Sequence, residues 1–482
     1  MSLSFAVANA LSGLTAASRM AEVISSNVAN AQTEGYGRRV VELSAQSVGG
    51  RGAGVRVDGL QRVSDRMLTA DRRGAEAGLA AGNRRLDALE RIEAAAGIGT
   101  EGATLEARIA ALEKALTAAA GDPSSDIRLA TVVSRLGDVA RAARDGSDAI
   151  RTERERADAG IATAVETLNT ALREVEVLND QISRARVAGD DALGIVDQRQ
   201  RVIDRVAVLV PVRELDRDDG AVALFTATGI SLVDVRASQF GFAAAPTILP
   251  DMTFGNGALG GLTLNGEPVP GSGAAGRMTG GSLAALFALR DEELPARQAS
   301  LDGVARDLIE RFEDPLSDPT LLPGDAGLLT DAGAALDPGL TTGLAGRLAV
   351  NAAIDPAEGG ALFRLRDGVN ASVAGPVGRG DQLDAWLDAL AARRPLAAGG
   401  TARSAAGHAA AASAEIGAAR LAAEESTGFA AAYFNGLKER ELALGVDTDA
   451  EMQALLLVEQ SYAANARVIE TIDDLFRRLM EI

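Results

Sequence analysis

The 482-residue sequence contains no cysteine. That excludes disulfides, thiolate metal sites and cysteine nucleophiles, and it suits a chain threaded unfolded from a cytoplasm to an oxidising exterior. Histidine occurs once, at His408 inside the Ala-rich run Ala405 to Ala412. With no second histidine, one chain cannot assemble a His-based triad or zinc site, and His408 reads as a helix-surface residue. Aromatic residues make up 3% of the chain, so the apolar mass is Ala, Leu and Val, which favours helices over aromatic pockets. Positive charge is also scarce. Lysine appears only at Lys114 and Lys438, and 48 Lys+Arg against 67 Asp+Glu leave a formal net charge of −19. Such a surface repels phosphate backbones and anionic lipid, which argues against nucleic acid and membrane as partners. No run of about 18 apolar residues exists to span a bilayer. The first basic side chain is Arg19 and no continuous apolar core follows, so the N-terminus does not read as a cleavable signal.

Catalytic chemistry finds no foothold. Asp216, Asp218 and Asp219 are acidic enough for calcium, but Gly220 arrives too early for an EF-hand loop, and a solvated hairpin turn is the better reading. The glycine-rich run 271–281 lacks the Gly-Lys-Ser/Thr ending of a phosphate loop and reads as a hinge or linker. We assign no catalytic, cofactor-binding or metal-ligating residue.

What the chain does carry is a seam at each end. After Gly445 the stretch Asp447-Thr448-Asp449-Ala450-Glu451 has the spacing of a capping box between Thr448 and Glu451. Apolar residues then recur at alternating steps of three and four: Leu455, Val458, Tyr462, Ile469, Ile472, Phe476 and Leu479, with Asn465 as the polar interruption. Leu3, Val7, Ala10, Leu14, Ala17, Ala21, Ile24 and Val28 follow the same alternation. A narrow seam cannot stay exposed in water, so the two ends are expected to pair as a coiled coil, with Asn465 fixing register.

Between the seams, Asn27 to Arg39 is a turn-rich stop in which Gly35 and Gly37 would allow positive φ on either side of Tyr36. Val40–Leu43 and Gly54–Leu60 read as extended. Residues 65–205 are helical by spacing, with one helix around 127–139 and a separate long one around 161–182. Near Val206 the period changes to two. Asp219-Gly220 and Asn265-Gly266 signal hairpins, so 206–270 reads as a small β domain. A helix is expected from about Ser282 to Glu313, a loop-rich segment over 315–400 with helical pieces near 343–354 and 382–394, and helix again from 402 to 444. The fold class is α+β, mostly α.

The segment Asn27-Val28-Ala29-Asn30-Ala31-Gln32-Thr33-Glu34-Gly35-Tyr36-Gly37-Arg38 resembles the N-terminal signature of bacterial flagellar rod, hook and hook-associated proteins. Gln460 to Ile469 is similar to their C-terminal signature. Leu178-Asn179-Asp180-Gln181-Ile182 with Asp197-Gln198-Arg199, and Gly280-Gly281-Ser282-Leu283 with Arg290-Asp291, resemble the hook-associated protein 1 family, the hook–filament junction proteins. The chain departs from that pattern at Glu313, where an Asn is expected, and in its short β portion, which implies that a further outer domain is missing.

The resemblance implies a D0 coiled coil from 1–35 plus 447–482 and a helical D1 from 36–205, 282–314 and 402–446. It further implies a β-rich D2 from 206–281, with 315–401 packed on D1 or D2. The implied role is a non-enzymatic structural subunit exported to the extracellular flagellum and needing no cofactor. Its implied partners are hook subunits, neighbouring copies, the next junction protein and an export chaperone at the C-terminal helix. The implied assembly interface is Leu3, Val7, Leu14, Ile24, Val28, Asn30, Tyr36, Leu455, Val458, Tyr462, Asn465, Ile469, Ile472, Phe476 and Leu479. The alternatives are another axial subunit of hook or rod type, or a secreted enzyme carried on the axial structure.

Overall fold

The computed structural model describes residues 3–48, 51–271 and 273–480, with the side chains of Leu3, Val48, Arg51 and Leu479 outside the described set. Helix α1 (Leu3–Ala29) leads into a β-hairpin, β1 (Arg39–Val48) and β2 (Arg51–Arg62). Four helices follow: α2 (Arg66–Ala95), α3 (Leu105–Ala120), α4 (Asp126–Ala188) and α5 (Leu193–Leu209). Short strands come next: β3 (Val212–Asp216), β4 (Val222–Thr226) and β5 (Ser231–Val233) in one antiparallel sheet, then β6 (Phe240–Gly241), β7 (Thr263–Leu264) and β8 (Glu267–Pro268) in another. Helices α6 (Gly281–Ala288) and α7 (Leu294–Phe312) precede β9 (Leu329–Asp331), β10 (Leu348–Val350), α8 (Arg364–Asp367) and α9 (Asp381–Ala391). The chain ends in α10 (Ala405–Leu442) and α11 (Thr448–Met480). The fold is α+β and mostly α.

Two compact units emerge. The first comprises residues 1–78, 167–238 and 430–482; the second comprises 79–166 and 239–429. The stretch expected to be one β domain is therefore divided: β3–β5 lie in the first unit and β6–β8 in the second. Both hairpin signals hold. Asp216 pairs with Val222 across Asp219-Gly220, and Leu264 pairs with Glu267 across Asn265-Gly266, where both turn residues have positive φ. The period change comes later than Val206, because Val202, Ile203, Val206 and Ala207 are buried at helical spacing on α5.

In the second unit, α3, α4, α7, α9 and the start of α10 share a core with the loop-rich segment. Leu321, Leu329, Leu348 and Leu365 from that segment pack with Ile109, Leu116, Leu136 and Phe312. Trp386 is fully buried, edge-on to Phe312 at 5.6 Å. Helix α4 runs unbroken for 63 residues where two helices are expected, since no proline interrupts it. Conversely, the helix expected over 282–313 contains a π-turn at Leu289–Glu293. Pro295 at the start of α7 has no N–H to continue the i→i−4 ladder, and the wide turn carries Arg290 into the interior. There Arg290 is fully buried, bonded to Asp158 at 2.7 Å and Gly260 O at 3.0 Å, with the rings of Phe242 and Phe287 beneath its guanidinium. His408 is buried rather than on the helix surface. Its Nε2 lies 2.7 Å from Arg394 O, because α10 packs that face against the 393–403 loop.

Candidate assembly interface

Helices α1 and α11 run antiparallel within the first unit. Ala17, Ile24 and Val458 form a small core, with Met20, Ala21, Ala454 and Leu455 against it. Further along the pair, Gly13 meets Asn465: a Cβ at position 13 would sit 2.7 Å from Asn465 Nδ2. The polar interruption is thus accommodated by a residue without a side chain, and Asn465 bonds back to Ser461 O at 2.9 Å. Asp449 and Glu451 in the first turn of α11, and Arg477 and Arg478 in its last, match the helix dipole.

The start of α11 is capped differently from the expected box. Asp447 accepts from the N–H groups of Asp449 at 3.0 Å and Ala450 at 3.1 Å. Glu451 does not turn back to the cap. It is 2% exposed and holds Arg38 Nε at 2.7 Å and Asn27 Nδ2 at 3.2 Å. An ion pair and a buried amide outcompete one backbone N–H for that carboxylate.

Asn27, 1% exposed, is the hub. Its Oδ1 accepts from Arg39 N and from Tyr36 Oη, both at 3.0 Å, while Nδ2 also donates to Arg39 O at 2.9 Å. Arg39 stacks over the Tyr36 ring at 4.9 Å and reaches Asp197 of α5, which Arg62 of β2 also binds at 2.8 Å. Gly35 has positive φ as expected, but Gly37 does not. Gly37 is needed for closeness: a Cβ there would fall 2.2 Å from Arg62 Nε, and its N–H donates to Asp197 at 3.2 Å. The second internal motif is similarly wired. Asn179 accepts from Arg199 Nη1 at 2.9 Å and Val222 N at 3.1 Å, which ties α4 to α5 and β4.

Three family models match the chain in order: "Flagella basal body rod protein" over 8–36, "Flagellar hook-associated protein FlgK helical domain" over 89–328, and "Flagellar basal body rod FlgEFG protein C-terminal" over 443–482. The chain belongs to the flagellar hook-associated protein 1 family. Curated relatives named flagellar hook-associated protein 1 include that of Escherichia coli, 24% identical over 336 residues, covering 67% of this chain and 59% of the relative. The Salmonella typhimurium protein is 27% identical over 241 residues, covering 48% and 43%. The chain spans about half the length of these relatives. Among solved structures, the flagellar hook junction protein FlgK from Burkholderia pseudomallei is similar at 19% identity and a TM-score of 0.44, covering 55% of this chain and 47% of that one.

In this hook-associated family member the terminal matches fall on α1 with its following turn and on α11, the two elements joined by the Asn27–Glu451 contact. The expected interface residues divide by environment. Ile24, Val458 and Ile472 are buried; Val7, Leu14, Val28, Leu455, Asn465 and Ile469 are half-buried. Tyr462 and Phe476 are exposed. Asn30 bonds Ser26 O at 2.9 Å and ends α1 locally, and Tyr36 is half-buried against Asn27 and Arg39. The side chains of Leu3 and Leu479 lie outside the described residues. Sequence reasoning did not assign Gly13, Asn27 or Asp197 a role at the interface, and it gave Glu451 only a capping role. The available signal was their placement: Asn27 opens the signature, and Asp197 opens the Asp-Gln-Arg motif. Among the described residues no helix is long and apolar enough to cross a membrane, and no cluster of His, Asp and Glu could hold a metal.

Proposed function

We propose that this chain is a structural axial subunit of the bacterial flagellum that joins hook to filament, assembled through α1 and α11. The observation that carries the reading is the face α11 turns away from α1. Leu457, Val468 and Leu475 are exposed there, spaced by eleven and seven residues. That spacing puts a second stripe along the helix, and a stripe of this length is not stable in water without a partner. In this reading, neighbouring copies, hook subunits and the next junction protein, the partners the resemblance implies, cover it in the structure outside the cell. In the cytoplasm, an export chaperone would cover the same C-terminal face. The D0 pair would loosen for export and re-form on incorporation, since its small seam offsets little ordering entropy.

The test is motility and filament attachment in a null strain complemented with Leu457→Asp, Leu475→Asp or the seam variants Val458→Asp and Ile472→Asp. We expect folded, exported protein and filaments that fail to attach. Wild-type motility from all four would refute assembly through these helices.

A further inference from the structure

Five helices of the second unit surround a cavity of about 290 Å³, whose lining residues all belong to that unit. Its apolar lining comes from Ile92 of α2, Leu105 of α3, Ile150 of α4, Leu301 of α7 and Ile416 of α10. The space persists because other positions that face it are small. Helix α4 contributes Ala142 and Gly146, and α10 contributes Ala409 and Ala412, so the helices meet there with little side chain between them. The α2–α3 connection closes one side, where Gly97 has positive φ and a Cβ would fall 2.7 Å from that of Ala103. A volume near 300 Å³ lies at the lower edge of the range for small-ligand sites and suits a molecule of roughly ten non-hydrogen atoms.

Net charge does not select the ligand. Arg108, Arg141 and Arg297 line the cavity together with Asp138 and Asp145. Two further carboxylates hold its lining serines, Glu106 on Ser413 at 3.0 Å and Glu415 on Ser300 at 3.1 Å. Three guanidiniums thus face four carboxylates, and an anion gains no attraction. Hydrogen bonding does discriminate. Arg141 donates to Asp138 at 3.0 Å, whereas Arg108 and Arg297 donate to no described residue. Their ion-pair partners, Asp138 at 4.0 Å and Glu415 at 3.8 Å, lie beyond hydrogen-bond reach. Both side chains are half-buried, so the cavity offers N–H donors that lack acceptors beside an apolar wall. We propose that this cavity binds a small neutral molecule, an apolar body carrying one carbonyl-type acceptor that the guanidinium donors of Arg108 and Arg297 take up. The site uses no residue of α1 or α11 and does not depend on their role in assembly.

The test is calorimetric titration of the full chain with four probes that share one ring: acetophenone, toluene, benzoate and benzylamine. We expect acetophenone to bind at one site per chain with a Kd on the order of 0.1–1 mM, and benzoate and benzylamine to bind at least about tenfold more weakly. Replacing both donors, Arg108→Met with Arg297→Met, should weaken acetophenone about tenfold and leave toluene within about twofold, since toluene has no acceptor to lose. Ala412→Phe should fill the space and abolish binding of acetophenone and toluene alike, with the emission of buried Trp386 as the check that the second unit is folded. No binding of acetophenone to the wild-type chain would overturn the proposal. So would acetophenone binding that is indifferent to the two arginines or to Ala412→Phe. Benzoate or benzylamine binding as tightly as acetophenone would also overturn it, because charge and not an unpaired donor would then select the ligand.

Discussion

Asn27→Ala removes the hub of the N-terminal signature. The native amide satisfies the N–H and C=O of Arg39, the hydroxyl of Tyr36 and one oxygen of Glu451. Alanine restores none of these, and the site is buried enough that water does not replace them freely. At about 1 kcal/mol for each of the two main-chain groups and the hydroxyl, the loss is roughly 3 kcal/mol. Glu451 keeps Arg38 and is left out of that figure. Amide hydrogen exchange resolved over 20–45 and 448–460 reads the effect locally. Protection there should fall on the order of a hundredfold, while 300–312 in the second unit stays unchanged. Asn27→Asp separates the terms: it keeps the acceptor toward Tyr36 and Arg39 N but sets a carboxylate against Glu451. Two carboxylates that close share a proton and have a raised pKa, so this variant should be worst near neutral pH and recover as pH falls toward about 4–5. Protection within about twofold of wild type in Asn27→Ala would refute the hub.

Three shorter expectations accompany it. Gly13→Ala combined with Asn465→Ala relieves the close approach and adds helix propensity at both positions, so denaturant titration should show a gain of about 1.5 kcal/mol, whereas Gly13→Ala alone should gain less. Arg290→Ala leaves Asp158 buried without its cation and should cost about 3–5 kcal/mol in the second unit, read as loss of Trp386 fluorescence change at lower urea. Burial raises the Glu113 carboxyl above its ordinary value, so the folded chain holds that proton more tightly than the unfolded one. Its contribution is therefore favourable below the ordinary carboxylate range and is lost as pH rises through the raised value. Glu113→Gln should flatten the stability slope between about pH 4 and 6.

Much of the fold was legible because periodicity reports burial directly. The seven-residue seams fall on α1 and α11, and Ile24, Val458 and Ile472 are buried where the pattern asks for it. The turns containing Asp219-Gly220 and Asn265-Gly266 close hairpins because their backbone requirements are local. Tyr462 and Phe476 fit the same seven-residue pattern and yet are exposed, because a pattern gives spacing around a helix but not how completely a neighbour covers each position along it. The capping-box reading of Glu451 failed for a related reason: spacing along the chain is blind to Arg38 and Asn27, more than four hundred residues away in sequence.

Composition and spacing by themselves determined a cysteine-free, acidic, mostly helical chain with a matching seam at each terminus, and its signatures already resembled the flagellar axial proteins. These are properties of single residues and of short intervals, and local physics sets them. Only the tertiary structure decided that Asn27, Arg39, Asp197 and Glu451 form one connected network, that Gly13 and Gly37 serve close approach, and that the strands of 206–281 divide between two units. Each of those depends on groups brought together across long sequence separations, where the geometry of packing selects among partners that the one-dimensional pattern leaves equivalent.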